Sequence, residues 1–360
     1  MTGFSDMHTR PGRRSAMCRS RRARVTAARC IGLLWLALAA ASVPFAAAQA
    51  ARAEPVAAQE PTAEMALLLK MQDAARTLDY SGIYTYQQGS TVLSTRVVHI
   101  VDGTGERERI SMLDGQRREY IRHNDTTQCL LPDHKVVLLE RRETDRFPAI
   151  LFDEGDRLAA HYDMQLAETP QRVAGRECLD LELIPRDAHR YGYRVCADTA
   201  TGLLLRLQTH DSQGVLTQIV FNTLDIGKGV QSEALSPAWN TKDWDVVEVA
   251  VHEVDLLSEG WRIPLPPGYQ PLTQVAREMK PGRQVKQLVA SDGLAAISVF
   301  IEAYVESGTN ASEAGLFRKG AMNVYRKRMG DHWLTVLGEV PGDTVRDLAD
   351  RTEYVPLAAR

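Results

Sequence analysis

Four short runs of alternating apolar residues between positions 171 and 226 leave little choice but an antiparallel sheet. Leu179, Leu181 and Leu183 alternate with Asp180 and Glu182, the pattern of a strand with one buried face. Pro185-Arg186-Asp187 then turns the chain, because proline fixes φ and aspartate bonds back to the main chain. Tyr191, Tyr193 and Val195 return, and Asp198 to Gly202 turns again. Leu203, Leu205 and Leu207 lead to a third turn at Asp211 to Gly214, and Leu216 to Phe221 make the fourth strand. Each strand has one greasy and one charged face. The meander reads as a curved sheet wrapped around something, and it offers no catalytic loop.

The preceding stretch continues the pattern. Strands are expected at Gly82 to Gln88, Thr91 to Val101, Glu106 to Leu113, Arg117 to Asn124, Thr127 to Leu131 and Lys135 to Leu139. Gly89-Ser90, Asp102-Gly103, Asp114-Gly115 and Pro132-Asp133 supply the residues that tight hairpins need. Ahead of them, Thr62 is a candidate N-cap for a helix to Leu78, with an apolar stripe of Met65, Leu68, Leu69, Met71 and Ala75. Residues 141 to 162 break the alternation and include a helical stretch.

The signal weakens after Gly227. Val285 to Ala290 and Leu294 to Ala303 then form a hairpin across the turn Ser291-Asp292-Gly293. Gly320 to Met329 reads as two or three helical turns carrying Arg326, Lys327 and Arg328, and Trp333 to Glu339 and Thr344 to Val355 complete a small mixed domain. The expected fold class is α+β: a large curved antiparallel sheet, a half-barrel with capping helices, followed by a smaller C-terminal α+β domain. The expected division is 64–228 for the larger domain, 229–245 for a linker and 246–360 for the smaller domain.

Before residue 51, Arg19, Arg21, Arg22, Arg24 and Arg29 precede the apolar run Ile31 to Ala41, and small residues follow. This is the order of a secretory signal peptide, assigned here to 1–50, with 51–63 a disordered lead-in. Export to an oxidising compartment follows. Eight of the 43 basic residues and one of the 46 acids lie in the first 50 positions, so the remainder holds 35 basic against 45 acidic, a net charge of −10. A nucleic-acid partner is therefore not expected, since phosphate affinity rests on clustered cations. A basic partner segment, or solubility alone, fits such a balance.

The exported chain keeps Cys129, Cys178 and Cys196. Pairing Ile184 with Tyr191 brings Cys178 almost opposite Cys196, so a bridge is geometrically reasonable. Three buried thiols are the other reading. Without a Cys-x-x-Cys or paired histidines the thiols make no metal site. The histidines are scattered, and the Gly-x-Ser-x-Gly elbow, phosphate loop and dinucleotide fingerprint are missing. The expectation is a non-enzyme without cofactor. Arg186 to Arg190 is either a turn held by Asp187 or a polar contact surface.

The order of features resembles the RseB/MucB family of periplasmic regulators of the extracytoplasmic sigma factor. The resemblance is carried by IPRDAHRYGYRVCAD (184–198) and GLLLRLQTHDSQGVLTQIVFNTLDIG (202–227). YSGIYTYQQG (80–89), WRIPLPPGY (261–269) and LVASDGLAAISVFIE (288–302) add to it. It implies a larger domain similar to the lipoprotein carriers LolA and LppX, sensing lipid in an apolar cavity, and a C-terminal domain that binds an anti-sigma factor. Members of the family hold the periplasmic part of a transmembrane anti-sigma factor and shield it from the site-1 protease DegS. Lipid or lipopolysaccharide fragments are thought to loosen that grip.

On this reading Tyr84, Tyr86, Tyr191 and Tyr193 are candidates for lining a lipid cavity, with Met164 and Leu166 at its mouth. Core packing is the alternative for all six. Arg326, Lys327 and Arg328 are candidates for meeting acidic groups of the partner or phosphates of a lipid headgroup, against the alternative of a solvated helix face. The rival function is a periplasmic lipid or lipoprotein carrier of LolA type. Homo-oligomerisation stays open.

Overall fold

A computed structural model describes residues 61–141, 155–248, 250–280, 283–304 and 314–356. The expected signal peptide and the lead-in up to residue 60 lie outside them. Helix α1 (Ala63–Thr77) begins where the Thr62 hydroxyl accepts the Met65 amide at 3.4 Å, relieving one of the unpaired amides of a first turn. Its buried residues Leu68, Met71 and Ala74 recur every three positions, so one stripe faces the sheet.

Strands β1 (Tyr80–Gln88), β2 (Thr91–Asp102), β3 (Gly105–Met112), β4 (Glu119–His123), β5 (Thr126–Leu131) and β6 (Val136–Arg141) follow hairpin by hairpin. Helix α2 (Gly155–His161) leads into β7 (Tyr162–Leu166), and β8 (Gln171–Val173) precedes the meander β9 (Arg176–Pro185), β10 (Gly192–Asp198), β11 (Leu204–Asp211) and β12 (Gly214–Ile226). Strand β12 returns to pair with β1, joining the two series into one large sheet. A short 3-10 turn, Ser232–Leu235, buries Leu235 against Val98 and Ile100 of β2. Strand β13 (Asp245–Glu248) then adds in parallel to β6, an exception to the antiparallel pattern. Thus Asp245–Glu248, expected at the end of the linker and the start of the smaller domain, is an edge of the larger sheet.

The second sheet contains β14 (Val251–Glu253), β16 (Gln270–Lys280), β17 (Arg283–Ser291), β18 (Ala296–Ala303), β19 (Gly315–Lys319), β20 (Met322–Met329) and β21 (His332–Gly338). A separate pair joins β15 (Trp261–Arg262) to β22 (Glu353–Tyr354). Helix α3 (Gly342–Arg351) packs Val345, Leu348 and Ala349 into a core with Ile297, Leu334 and Val336. The expected helical turns at Gly320 to Met329 are instead strand β20. Asn323, Tyr325 and Lys327 alternate with Val324, Arg326 and Arg328, and Gly330, at φ 56°, starts the turn back into β21.

The meander's first hairpin differs from expectation by one residue. Leu183 pairs with Tyr193, Cys178 with Asp198 and Cys196 with Asp180. A one-residue slip exchanges faces. The observed register keeps Leu181, Leu183, Tyr193 and Val195 in the core with α1 residues Leu68 and Met71. Both cysteines then share the other face, bridged diagonally with 5.5 Å between their Cα atoms. Cys129 is free and half-buried.

Candidate functional site at the junction of the two sheets

Two turns meet where the sheets touch. In the β9–β10 turn, Asp187 Oδ1 accepts the His189 amide at 2.9 Å and Arg190 Nε at 3.0 Å, which aims the guanidinium. In the β17–β18 turn, Asp292 Oδ1 accepts the amides of Leu294 and Ala295 at 2.9 and 2.8 Å, which aims its other oxygen. Arg190 Nη1 donates to that oxygen at 2.9 Å, and Nη2 donates to the Pro267 carbonyl at 2.5 Å. The Tyr162 hydroxyl donates to Asp292 Oδ2 at 3.1 Å. The guanidinium lies over the rings of Tyr162 and Tyr269, with centroids at 5.6 and 5.3 Å.

Both charged side chains are fully buried. Burial works against the Arg190 charge, but Asp292 and the surrounding groups more than reverse it, so its pKa is raised. Burial pushes the hydroxyls of Tyr162 and Tyr269 above the usual tyrosine range, and nearby negative groups add to it, so both stay protonated. A joint of this kind can specify an arrangement without being strong glue, because desolvation offsets most of the attraction.

Most of the remaining junction contacts are also polar. The buried Asn323 amide donates to the Tyr191 hydroxyl at 3.0 Å and to the Val340 carbonyl at 2.8 Å. Gln88 donates to the Lys319 carbonyl at 2.8 Å. Gly268 and Gly320 permit the close approach: both have positive φ, and a Cβ would fall 2.2 Å from His161 and from Gln88 respectively. Arg277 and Glu140, at 3.6 Å, connect β16 to β6. Leu294 adds an apolar contact to the larger sheet's core.

The six cavity candidates do not form one set. Tyr193, Met164 and Leu166 share a cluster with Leu68 and Leu181, where Tyr193 is buried and the other two half-buried. Tyr84 belongs to a second cluster with Tyr80, Val97 and Phe221, and burial pushes its hydroxyl up to about 12. Tyr191 faces the junction through Asn323. The half-buried Tyr86 hydroxyl is raised first by burial and then by the charge of Glu339, which follows β21.

The basic run is divided by the strand's alternation. Arg326 pairs with Glu302 at 2.9 Å and stacks over Trp333, while Lys327 reaches Asp350 of α3 at 3.3 Å. Arg328 stands over the Tyr304 ring at 3.7 Å and is the exposed member. Sequence reasoning placed Arg190 and Asp292 in turns and did not join them. The available signal was a charged residue in each turn, beside apolar strands. Among the described residues, no group of three or more His, Cys, Asp or Glu is placed to hold a metal, and no helix is long and apolar enough to cross a membrane.

Residues 63–239 match the MucB/RseB N-terminal domain, and residues 256–353 match the MucB/RseB C-terminal domain. The chain belongs to the MucB/RseB family. The sigma factor AlgU regulatory protein MucB of Pseudomonas aeruginosa is 31% identical over 291 residues, covering 78% of this chain and 88% of the relative. The sigma-E factor regulatory protein RseB of Haemophilus influenzae is 25% identical over 313 residues, covering 83% and 94%. MucB solved in complex with MucA(peri) superposes with a TM-score of 0.61 at 28% identity, covering 82% of this chain and all of that one. The Pseudomonas aeruginosa MucA/MucB complex gives 0.63 at 29%, covering 82% and 99%. These MucB/RseB relatives are regulatory proteins, and the likeness spans both sheets. The interval between the two domain matches, 240–255, holds β13 and β14.

Proposed function

We propose that this chain is a non-enzymatic periplasmic regulator that binds the periplasmic part of a transmembrane anti-sigma factor. Binding shields that segment from site-1 proteolysis, and lipid or lipopolysaccharide releases it. The observation that carries this reading is the match of both domains to MucB, a protein whose solved structures include a complex with MucA(peri). In this reading the larger domain senses lipid. Met164 and Leu166 are its half-buried contacts, and Tyr84, Tyr86, Tyr191 and Tyr193 sit deeper or toward the junction. The smaller domain contributes to partner binding, with Arg328 the exposed cation of its basic run.

The mechanism is linkage. Lipid that prefers the partner-free arrangement of the sheets weakens partner binding by the same factor that the partner weakens lipid binding. The buried joint of Arg190, Asp292 and Tyr162 sets one such arrangement. The test is a cleavage assay in which the site-1 protease attacks the anti-sigma factor's periplasmic segment. Added protein is expected to protect the segment, and lipopolysaccharide to restore cleavage. Lipid binding without protection would instead favour a carrier.

A further inference from the structure

Strand β13 is one edge strand of the larger sheet, and β14, which follows it after two intervening residues, is one edge strand of the smaller. An edge strand presents a row of unpaired backbone donors and acceptors, a template for another strand. All four residues of β13 and all three of β14 are exposed. Val246 is 66% exposed, Val247 45% and Val251 39%. Neighbouring strand residues point to opposite faces, so Val246 and Val247 leave both faces of β13 without cover.

The exposed charge along this stretch is mostly acidic, although Lys135 and Lys242 flank β13 and Val251 is in register with Arg277. Asp243, Asp245, Glu248 and Glu253 are exposed, and among the described residues none of them makes an ion pair. Lys242 is the one lysine or arginine between 242 and 255. Like charges placed opposite each other destabilise a strand pair. The edge is therefore protected against a second copy of itself and open to a strand of opposite charge.

We infer that β13 and β14 receive an extended, basic segment of the partner protein by strand addition, with apolar side chains flanking Val246 and Val247. Reaching both edges needs about nine residues, ~30 Å at 3.3 Å per residue. Backbone pairing would supply affinity, and the four carboxylates would select lysine or arginine. This inference rests on the anti-sigma-factor reading for the partner's identity, and on the edge alone for its chemistry.

The test is amide hydrogen exchange on the full chain, with and without the periplasmic segment of the cognate anti-sigma factor. A D245K/E248K variant is compared by titration. The segment is expected to slow exchange across Asp245–Glu248 tenfold or more, and charge reversal to weaken binding at least tenfold. Binding with unchanged exchange there, and an unchanged Kd in the variant, overturns the edge assignment and leaves the functional reading intact. If the segment fails to bind wild type, the functional reading fails. A nine-residue peptide of alternating lysine and valine then decides the edge alone. Protection of β13 that D245K/E248K loses supports it, and no protection overturns it.

Discussion

Inside the smaller sheet Ile297, Val299, Leu334 and Val336 are enclosed by other apolar side chains, whereas the junction with the larger sheet brings together Arg190, Asp292, Tyr162 and Asn323. Apolar burial stabilises in proportion to area, about 25 cal/mol per Å², and has no second arrangement to offer. A buried ion pair contributes little net free energy but strongly penalises geometries that leave one member alone. Each sheet is thus built to persist. The joint between them holds one arrangement, and on the proposed reading it would release it when its partners are exchanged.

The largest effect is expected from Asp292→Ala, which removes the fully buried partner of Arg190 and leaves it only Asp187 among the carboxylates of the described residues. A loss of about 3–5 kcal/mol is expected in denaturant unfolding. The paired change Arg190→Met with Asp292→Leu is expected to recover most of it. If the pair loses as much as the single change, the joint behaves like a core and the contrast fails.

Leu334→Ala within the smaller core should cost about 2–5 kcal/mol, with no comparable rescue by a second truncation. Next comes the bridge within the larger sheet, whose cysteines are 18 residues apart. Replacing both by alanine is expected to cost about 3 kcal/mol, read as a lower unfolding midpoint under oxidising conditions.

The smallest effect concerns Glu339, whose carboxyl burial pushes above the usual range. A raised folded pKa contributes stability below the unfolded value and loses it as pH rises through the folded value. Glu339→Gln should therefore be more stable than wild type at neutral pH. The difference should vanish as both are acidified below the ordinary carboxylate range.

Much of the fold was legible because it is local. Thr62 caps its helix, the alternation at Leu179 to Leu183 marks its strand, and Ser291-Asp292-Gly293 turns its hairpin. What escaped depends on distance or interruption. Arg190 and Asp292 are 102 residues apart, and nothing near either names the other. Strand β16 was not foreseen, since Pro271 and a register shift at 271/273 interrupt its pattern. The basic residues at 326–328 suggested a solvated helix, and their partners Glu302 and Asp350 lie 24 and 23 residues away. The cysteines' neighbourhood was readable, but their register was set by which face α1 covers.

On the proposed reading, partner and lipid compete through the arrangement of the two sheets. The most direct measurement is the affinity of the chain for the anti-sigma factor's periplasmic segment with and without saturating lipopolysaccharide, together with the reverse titration. Lipopolysaccharide is expected to weaken binding of the segment at least tenfold, and the segment to weaken binding of lipopolysaccharide by the same factor. Tight segment binding that lipopolysaccharide leaves unchanged would contradict it.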